Sequence, residues 1–429
     1  MSGEKIDLIA ALSIGQSERC KERDTIPDRI ASHGGRNHMS GAMKRIPELD
    51  ALRCFAVLAV IAVHYRPPRE TMINHLLAMG WAGVDVFFAI SGFLITSILL
   101  GMRDTPHPFR TFYGRRTARI FPPYYLVLFV IWVVALSQHL FIARFLGIGG
   151  FFFAPSLAPQ PIIDALRHIL ITRTLDHSTS SIDLHQLHEV TESLFVIWSL
   201  SVEEIFYLVW APIVLRAKSR CVAACAVVPI FLCPVLRLLA HTAGFPEYTS
   251  FFLRVDSLCA GACVALLLRA MRRDPHNDRL DRALKIALLL SGTILAAIVW
   301  HTSSVHGVEI RSTLLFAFIG YSSLAFFSSS VVGLCAIHSG SSRLLLRMLR
   351  LPPVLYIGTV SYVIYLIHIP VYVATRAALL RFGVLRISPW VISSLALGLT
   401  IALASVSWRY FESPILAWKD RRFPTAPAA

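Results

Sequence analysis

The sequence predicts an all-α polytopic integral membrane protein of about ten transmembrane helices with both termini in the cytoplasm. Three observations carry that expectation. Of the 429 residues, 55% are hydrophobic and only 16% charged, against about 25% charged in an ordinary soluble domain; mean hydropathy is +0.61. The apolar residues gather into ten runs, each close to the roughly 20 residues a spanning helix needs. The basic residues gather on one side of those runs. A soluble protein of this composition would expose apolar surface it could not cover, which excludes soluble enzymes, disordered tails, fibrous proteins and disulfide scaffolds. The net charge of +15 then belongs to the segments outside the hydrocarbon, where it points to topology and anionic lipid. No nucleic-acid partner is expected.

In chain order the runs are 49–66, 82–101, 121–140, 194–215, 221–240, 252–270, 284–300, 312–331, 354–376 and 390–411. The first is the shortest. The eighth is the most polar, with Ser322, Ser323, Ser328, Ser329 and Ser330. Of the 41 lysines and arginines, 28 fall before the first helix, in alternate connections and after the tenth. The positive-inside rule places that side in the cytoplasm; an even number of helices also requires both termini on one side. Residues 1–43 read as a polar cytoplasmic extension. Residues 6–15 are only weakly apolar and contain Asp7, so no signal peptide is expected, and Met43 stands before the run like a natural start. The outer loop 141–193 is the sole sizeable extramembrane element, and 421–429 is a short tail.

Only Cys20 of the eight cysteines lies outside an apolar stretch, and no CxxC occurs. Cys221/Cys225 and Cys259/Cys263 read as small apolar residues on helix faces. His185 and His188 in the outer loop read as an exposed pair, so no metal site is expected.

A charge at mid-membrane costs about 2.5–3.5 kcal/mol even on lenient scales, so the ionisable residues inside the runs are the informative ones. The first helix begins Glu48-Leu49-Asp50-Ala51-Leu52-Arg53 and ends at His64-Tyr65. Eleven residues at 100° each return to within about 20° of the starting direction, about 16 Å further along. Arg53 and His64 therefore share a face, with Asp50 one turn from Arg53. The fourth helix carries Ser201, Glu203 and Glu204. Adjacent carboxylates point about 100° apart, so one is expected to face a cavity and the other a partner helix. In the ninth, Ser361, Tyr365 and His368 form a stripe at i, i+4 and i+7. The second holds Asp85 and Ser91 among small residues and aromatics suited to close packing; Arg254 and Asp256 open the sixth as a pair. Trp408-Arg409-Tyr410-Phe411-Glu412 closes the tenth as an interfacial anchor. The loop after the second helix places Arg115, Arg116 and Arg119 within five residues, and Arg116 with Arg119, one turn apart if helical, suits bidentate phosphate binding.

Together these residues resemble the membrane acyltransferase-3 family, bacterial enzymes that acylate saccharides and other acceptors. The likeness runs from about Arg45 to Pro414. It is carried by Arg53 and His64 with ten residues between them, by GVDVFFAISGFLI (83–95) and YGRRTARIFPPYY (113–125), then by WSLSVEEIFYL (198–208), RVDSLCAG (254–261), SYVIYLIH (361–368) and RYFESP (409–414). Ala51 departs from the glycine common there, a change expected to touch helix packing. The resemblance implies a transmembrane domain over 44–420 in the bacterial inner (cell) membrane. The esterase-like domain that some members carry after that region is not expected. It implies transfer of an acyl group, acetyl in the first instance, from cytosolic acyl-CoA as co-substrate, with no tightly bound cofactor. The acceptor is the hydroxyl of a saccharide or glycolipid at the outer face. Arg53, Arg115, Arg116 and Arg119 would hold the donor. His64 would be catalytic, as general base or as acyl-carrying nucleophile, with His368 and Glu203 the next candidates. Asp50, Asp85, Ser91, Ser201, Glu204, Arg254, Ser361 and Tyr365 complete the candidate site. A secondary transporter of a sugar or small polar metabolite is the alternative. The inverted repeats and interrupted helices common in transporters are not apparent in the sequence.

Overall fold

The computed structural model describes residues 45–66, 77–139, 196–245, 247–271, 278–304, 313–381 and 388–424, all within one compact unit, Gly41–Ala429. Each of the ten apolar runs is a helix. They are α1 (Pro47–Tyr65), α2 (Gly83–Met102), α3 (Pro108–His139), α4 (Trp198–Arg216), α5 (Ser219–Thr242), α6 (Phe251–Met271), α7 (Asp278–Ser304), α8 (Tyr321–Ile337), α9 (Pro352–Arg381) and α10 (Pro389–Ser407). A π-helical turn, Phe316–Gly320, leads into α8; a second, Trp408–Glu412, joins α10 to α11 (Ser413–Arg422). Among the described residues there is no strand, and eight helices are long and apolar enough to cross a membrane. The chain is an all-α polytopic membrane protein. The extension 1–43, the loop 141–193 with His185 and His188, and residues 425–429 lie outside the described residues.

Three glycine contacts set the packing. A Cβ on Gly92 of α2 would lie 1.8 Å from the Leu258 carbonyl oxygen of α6, and one on Gly261 of α6 would lie 2.1 Å from that of Ala89. The α2 and α6 backbones therefore touch, as small residues allow in membranes. A Cβ on Gly358 of α9 would meet the Asp50 carbonyl oxygen of α1 at 1.8 Å. Around these seams α5, α7 and α10 turn Phe231, Leu239, Leu289, Leu290 and Leu395 outward, as helices facing lipid do. Glu48, at the start of α1, is fully buried and accepts hydrogen bonds from Ser339 Oγ (2.8 Å) and Gly340 N (3.1 Å). Gly340 sits at φ 82°, a conformation glycine adopts without steric cost.

The arginine-rich stretch is not a loop. The turn between α2 and α3 ends at His107, and α3 starts at Pro108, a residue preorganised for a first helical turn. Phe112, Ala118 and Ile120 are buried along the helix. Pro122 and Pro123 lie inside α3, and Tyr362 of α9 donates to the Ile120 carbonyl beside them at 3.0 Å. The eighth helix runs six residues further than expected, and α11 extends two residues into the expected tail.

The α2–α6 contact yields a direct test. Gly92→Val should destabilise the protein by about 3 kcal/mol or more, since overpacking against main chain cannot relax as a side chain would. Gly398→Val, where nothing lies within 4 Å of a Cβ, should be near neutral. Heating in detergent followed by size-exclusion chromatography reads both, and equal midpoints would refute backbone contact at Gly92.

Candidate active site

The two histidines expected on separate helices meet. His368 Nε2 of α9 lies 3.2 Å from His64 Nδ1 of α1, with ring centroids 5.0 Å apart. Two carbonyls fix the proton positions. His368 Nδ1 is 2.7 Å from the Tyr365 carbonyl, and His64 Nδ1 is 2.7 Å from that of Val60. A carbonyl only accepts, so both Nδ1 atoms carry hydrogen. His368 Nε2 then accepts from His64, and the lone pair of a neutral His64 sits on Nε2. His368 is fully buried whereas His64 is exposed. Tyr65 supports the pair, donating to the His368 carbonyl at 2.6 Å, while Ser393 donates to the Tyr65 carbonyl at 2.6 Å. A basic nitrogen oriented by a hydrogen bond at the other side of its ring is the arrangement general bases and activated nucleophiles share.

The other two members of the α9 stripe diverge. Tyr365 donates to the Val196 carbonyl at 2.9 Å and lies 2.8 Å from Ser199 Oγ of α4. Ser361 donates back to Gly358 of its own helix. On α4, Glu203 accepts from Tyr207 at 2.5 Å, with Ser91 of α2 hydrogen-bonded to the same group. Arg116 of α3 stacks over the Tyr207 ring at 4.1 Å, and its buried Nε has no hydrogen-bond partner, nor does Glu204 Oε1. Neither carboxylate lines the cavity described next. Ser201 Oγ reaches back toward the Ile197 carbonyl, 3.5 Å away.

At the Arg53 end of α1 a cavity of about 400 Å³ opens between α1, α2, α3, α9 and α11. Arg53 and Arg45 both bind Asp50, at 2.6 and 2.7 Å. Arg119 and Glu412 face the same space, among Leu94, Ile98, Tyr362 and Leu416. Arg53 and His64 thus both lie on the α9 side of α1, as their spacing predicts. The expected fork of Arg116 and Arg119 is divided, because Tyr207 takes Arg116 inward. Arg115 is turned to the C-terminal segment, donating to Asp420 at 2.7 Å and to the Phe423 carbonyl at 2.6 Å.

Two further charge pairs are buried between α2, α5, α6 and α8. Arg254 binds both oxygens of Asp85, at 2.8 and 2.9 Å, and Ser257 donates to Asp85 at 2.8 Å. The expected Arg254–Asp256 pair is absent; Asp256 instead binds Arg237 at 2.8 Å. Arg237 also donates to the Leu253 and Ala317 carbonyls and to Ser322. Neither Arg237, inside the fifth run, nor Tyr207, four residues after Glu203, is among the expected site residues. Glu412 and Trp408 were read as an interfacial anchor. Both line the cavity, Glu412 buried; Arg409 and Tyr410 are exposed and fit that reading.

Comparison with known proteins follows this geometry. The family model described as an acyltransferase domain matches residues 46–409. The chain is 28% identical over 403 residues to YrhL of Bacillus subtilis, named a candidate peptidoglycan O-acetyltransferase; the match covers 90% of this chain and 57% of that protein. It is 27% identical over 386 residues to the O-acetyltransferase OatA of Staphylococcus aureus, covering 86% and 57%. To the peptidoglycan O-acetyltransferase OatA of Listeria monocytogenes it is 27% identical over 387 residues, covering 87% and 56%. The chain therefore spans a little over half the length of these relatives. No solved structure matches it.

Breaking a buried pair by removing one partner strands a charge, at a cost of about 3–5 kcal/mol, whereas replacing both by apolar residues is often neutral. Asp85→Asn should therefore lower the detergent melting midpoint sharply, and Asp85→Leu with Arg254→Met should recover most of the loss. A double variant no more stable than the single one would mean that the pair is not an isolated energetic unit.

Proposed function

This chain belongs to that acyltransferase family, and from this premise we propose that it moves an acyl group, acetyl first among them, from cytosolic acyl-CoA to a saccharide hydroxyl across the cell membrane. The observation that carries the proposal is the pairing of His64 with His368 at one end of α1 and the arginine-lined cavity at the other. Both termini and the α2–α3 turn would face the cytoplasm, which puts the cavity on the donor side and His64 on the acceptor side. The relatives' names make a peptidoglycan-like glycan the first acceptor to test.

The cavity suits such a donor. Arg119 lines it with no hydrogen bond or ion pair to a described residue, so a phosphate has an unclaimed guanidinium to bind. Leu94, Ile98 and Leu416 offer apolar walls to the acyl-pantetheine arm. The rise of α1 from Arg53 to His64 is about 16 Å, a span that an extended pantetheine arm can bridge. The thioester supplies the activated carbonyl. His64 Nε2 takes the proton of the acceptor hydroxyl, whose oxygen attacks that carbonyl. The carbon–sulfur bond then breaks, and His64 returns the proton to the departing thiolate. His64 Nδ1–H donates throughout to Val60 and His368, which stabilises the transient imidazolium.

His64→Ala should abolish ester formation while expression and membrane insertion persist. His64→Gln should fail too, since an amide cannot exchange the proton near neutral pH. Mass spectrometry of glycans from strains carrying each variant reads the outcome, and a His64→Gln strain with parental ester content would move the chemistry elsewhere. Reporter fusions at Thr105 and Gly244 should give opposite compartments; a shared compartment would overturn the orientation.

A further inference from the structure

The C-terminal helix is not an appendage to the bundle. It contributes Ile415 and Leu416 to the cavity wall, and Glu412, directly before it, adds a third side chain. It is held against α3 by two independent fastenings. Arg115 donates to Asp420 and to the Phe423 carbonyl, one guanidinium spanning the last turn of α11. One residue earlier, Gly114 leaves a notch that the Phe423 ring fills: a Cβ there would lie 2.4 Å from the ring. Lys419 is buried on the same side, 3.4 Å from Asp420. The last carbonyls of a helix have no intrahelical donor, and here an arginine caps the end of α11.

We infer that α11 is a wall of the acyl-donor site and that Arg115, Asp420 and Phe423 are positioning residues that hold it there. Arg115 thereby leaves the set of donor ligands suggested by the arginine cluster: both ends of its fork are occupied by the chain itself. The inference rests on the donor reading of the cavity given above. Releasing α11 removes two apolar side chains and one carboxylate from the cavity while the His64–His368 pair, at the other end of α1, keeps every contact described. The expected signature is weaker donor binding with unchanged turnover at saturation.

The test uses the full chain in inside-out membrane vesicles with Leu416→Cys as a reporter and Cys20→Ser to lower the background. A membrane-impermeant maleimide should label Leu416→Cys slowly, and coenzyme A should protect it. Adding Arg115→Ala should raise the labelling rate at least tenfold. In the native-cysteine protein, Arg115→Ala should raise the donor KM at least fivefold, leaving kcat and the acceptor KM within twofold. The charge-swapped pair Arg115→Asp with Asp420→Arg should restore part of the donor KM. Unchanged labelling in Arg115→Ala, or a fall in kcat with donor KM unmoved, would overturn the inference. Faster labelling in Arg115→Ala without protection by coenzyme A in either chain would leave the fastening in place and defeat the donor reading instead.

Discussion

A charge inside the hydrocarbon has to be matched within the protein, and the way this chain matches its charges decides where its helices sit. Asp85 and Arg254 tie α2 to α6, and Asp256 and Arg237 tie α6 to α5, with the Ala317 carbonyl of the π-helical turn completing the shell around Arg237. A π-helical turn disturbs the regular carbonyl ladder, and this one occurs where an arginine takes up a main-chain acceptor. Glu48 does the equivalent for the turn after α8. With these pairs made, glycine seams bring the backbones together, and the apolar remainder is left to face lipid.

Charges are only partly matched on both sides of α2. The Asp85–Arg254 and Asp256–Arg237 pairs lie between α2, α5, α6 and α8, where Arg254 Nε and Nη1 have no hydrogen-bond partner. Along α3 and α4 and around the cavity, Arg116 has an orphan Nε, Glu204 has an orphan oxygen, and Arg119 faces open space. The α1–α9 seam lies between the two ends of the candidate site, with Gly358 packed on Asp50 near the cavity and His368 on His64 at the far end.

Much of this was legible in the residues. The placement of the apolar helices and the shared face of Arg53 and His64 follow from hydropathy and periodicity. The start of α3 did not, because a double proline reads locally as a break while tertiary packing of Phe112 and Ile120 carries the helix through it. Partner choice was hidden as well. Arg254 and Asp256 are two apart in sequence, and adjacency suggested a pair, yet two residues along a helix point about 200° apart and each side chain finds a different neighbour. The division of the arginine cluster depended on the return of the chain's last helix and on Tyr207, neither of which spacing within 113–125 can reveal.

The histidine pair also has a direction. An excess proton reaching His64 at Nε2 can be passed on from Nδ1 to His368, one ring further into the protein. It stops there, because the remaining nitrogen of His368 already holds a hydrogen against the Tyr365 carbonyl, and a main-chain carbonyl does not relay protons onward. The couple is a wire with one closed end. If His64 runs acid–base chemistry as proposed, that closed end is insulation: a proton taken up at one end of α1 has no path through the pair toward the arginine-lined cavity at the other end.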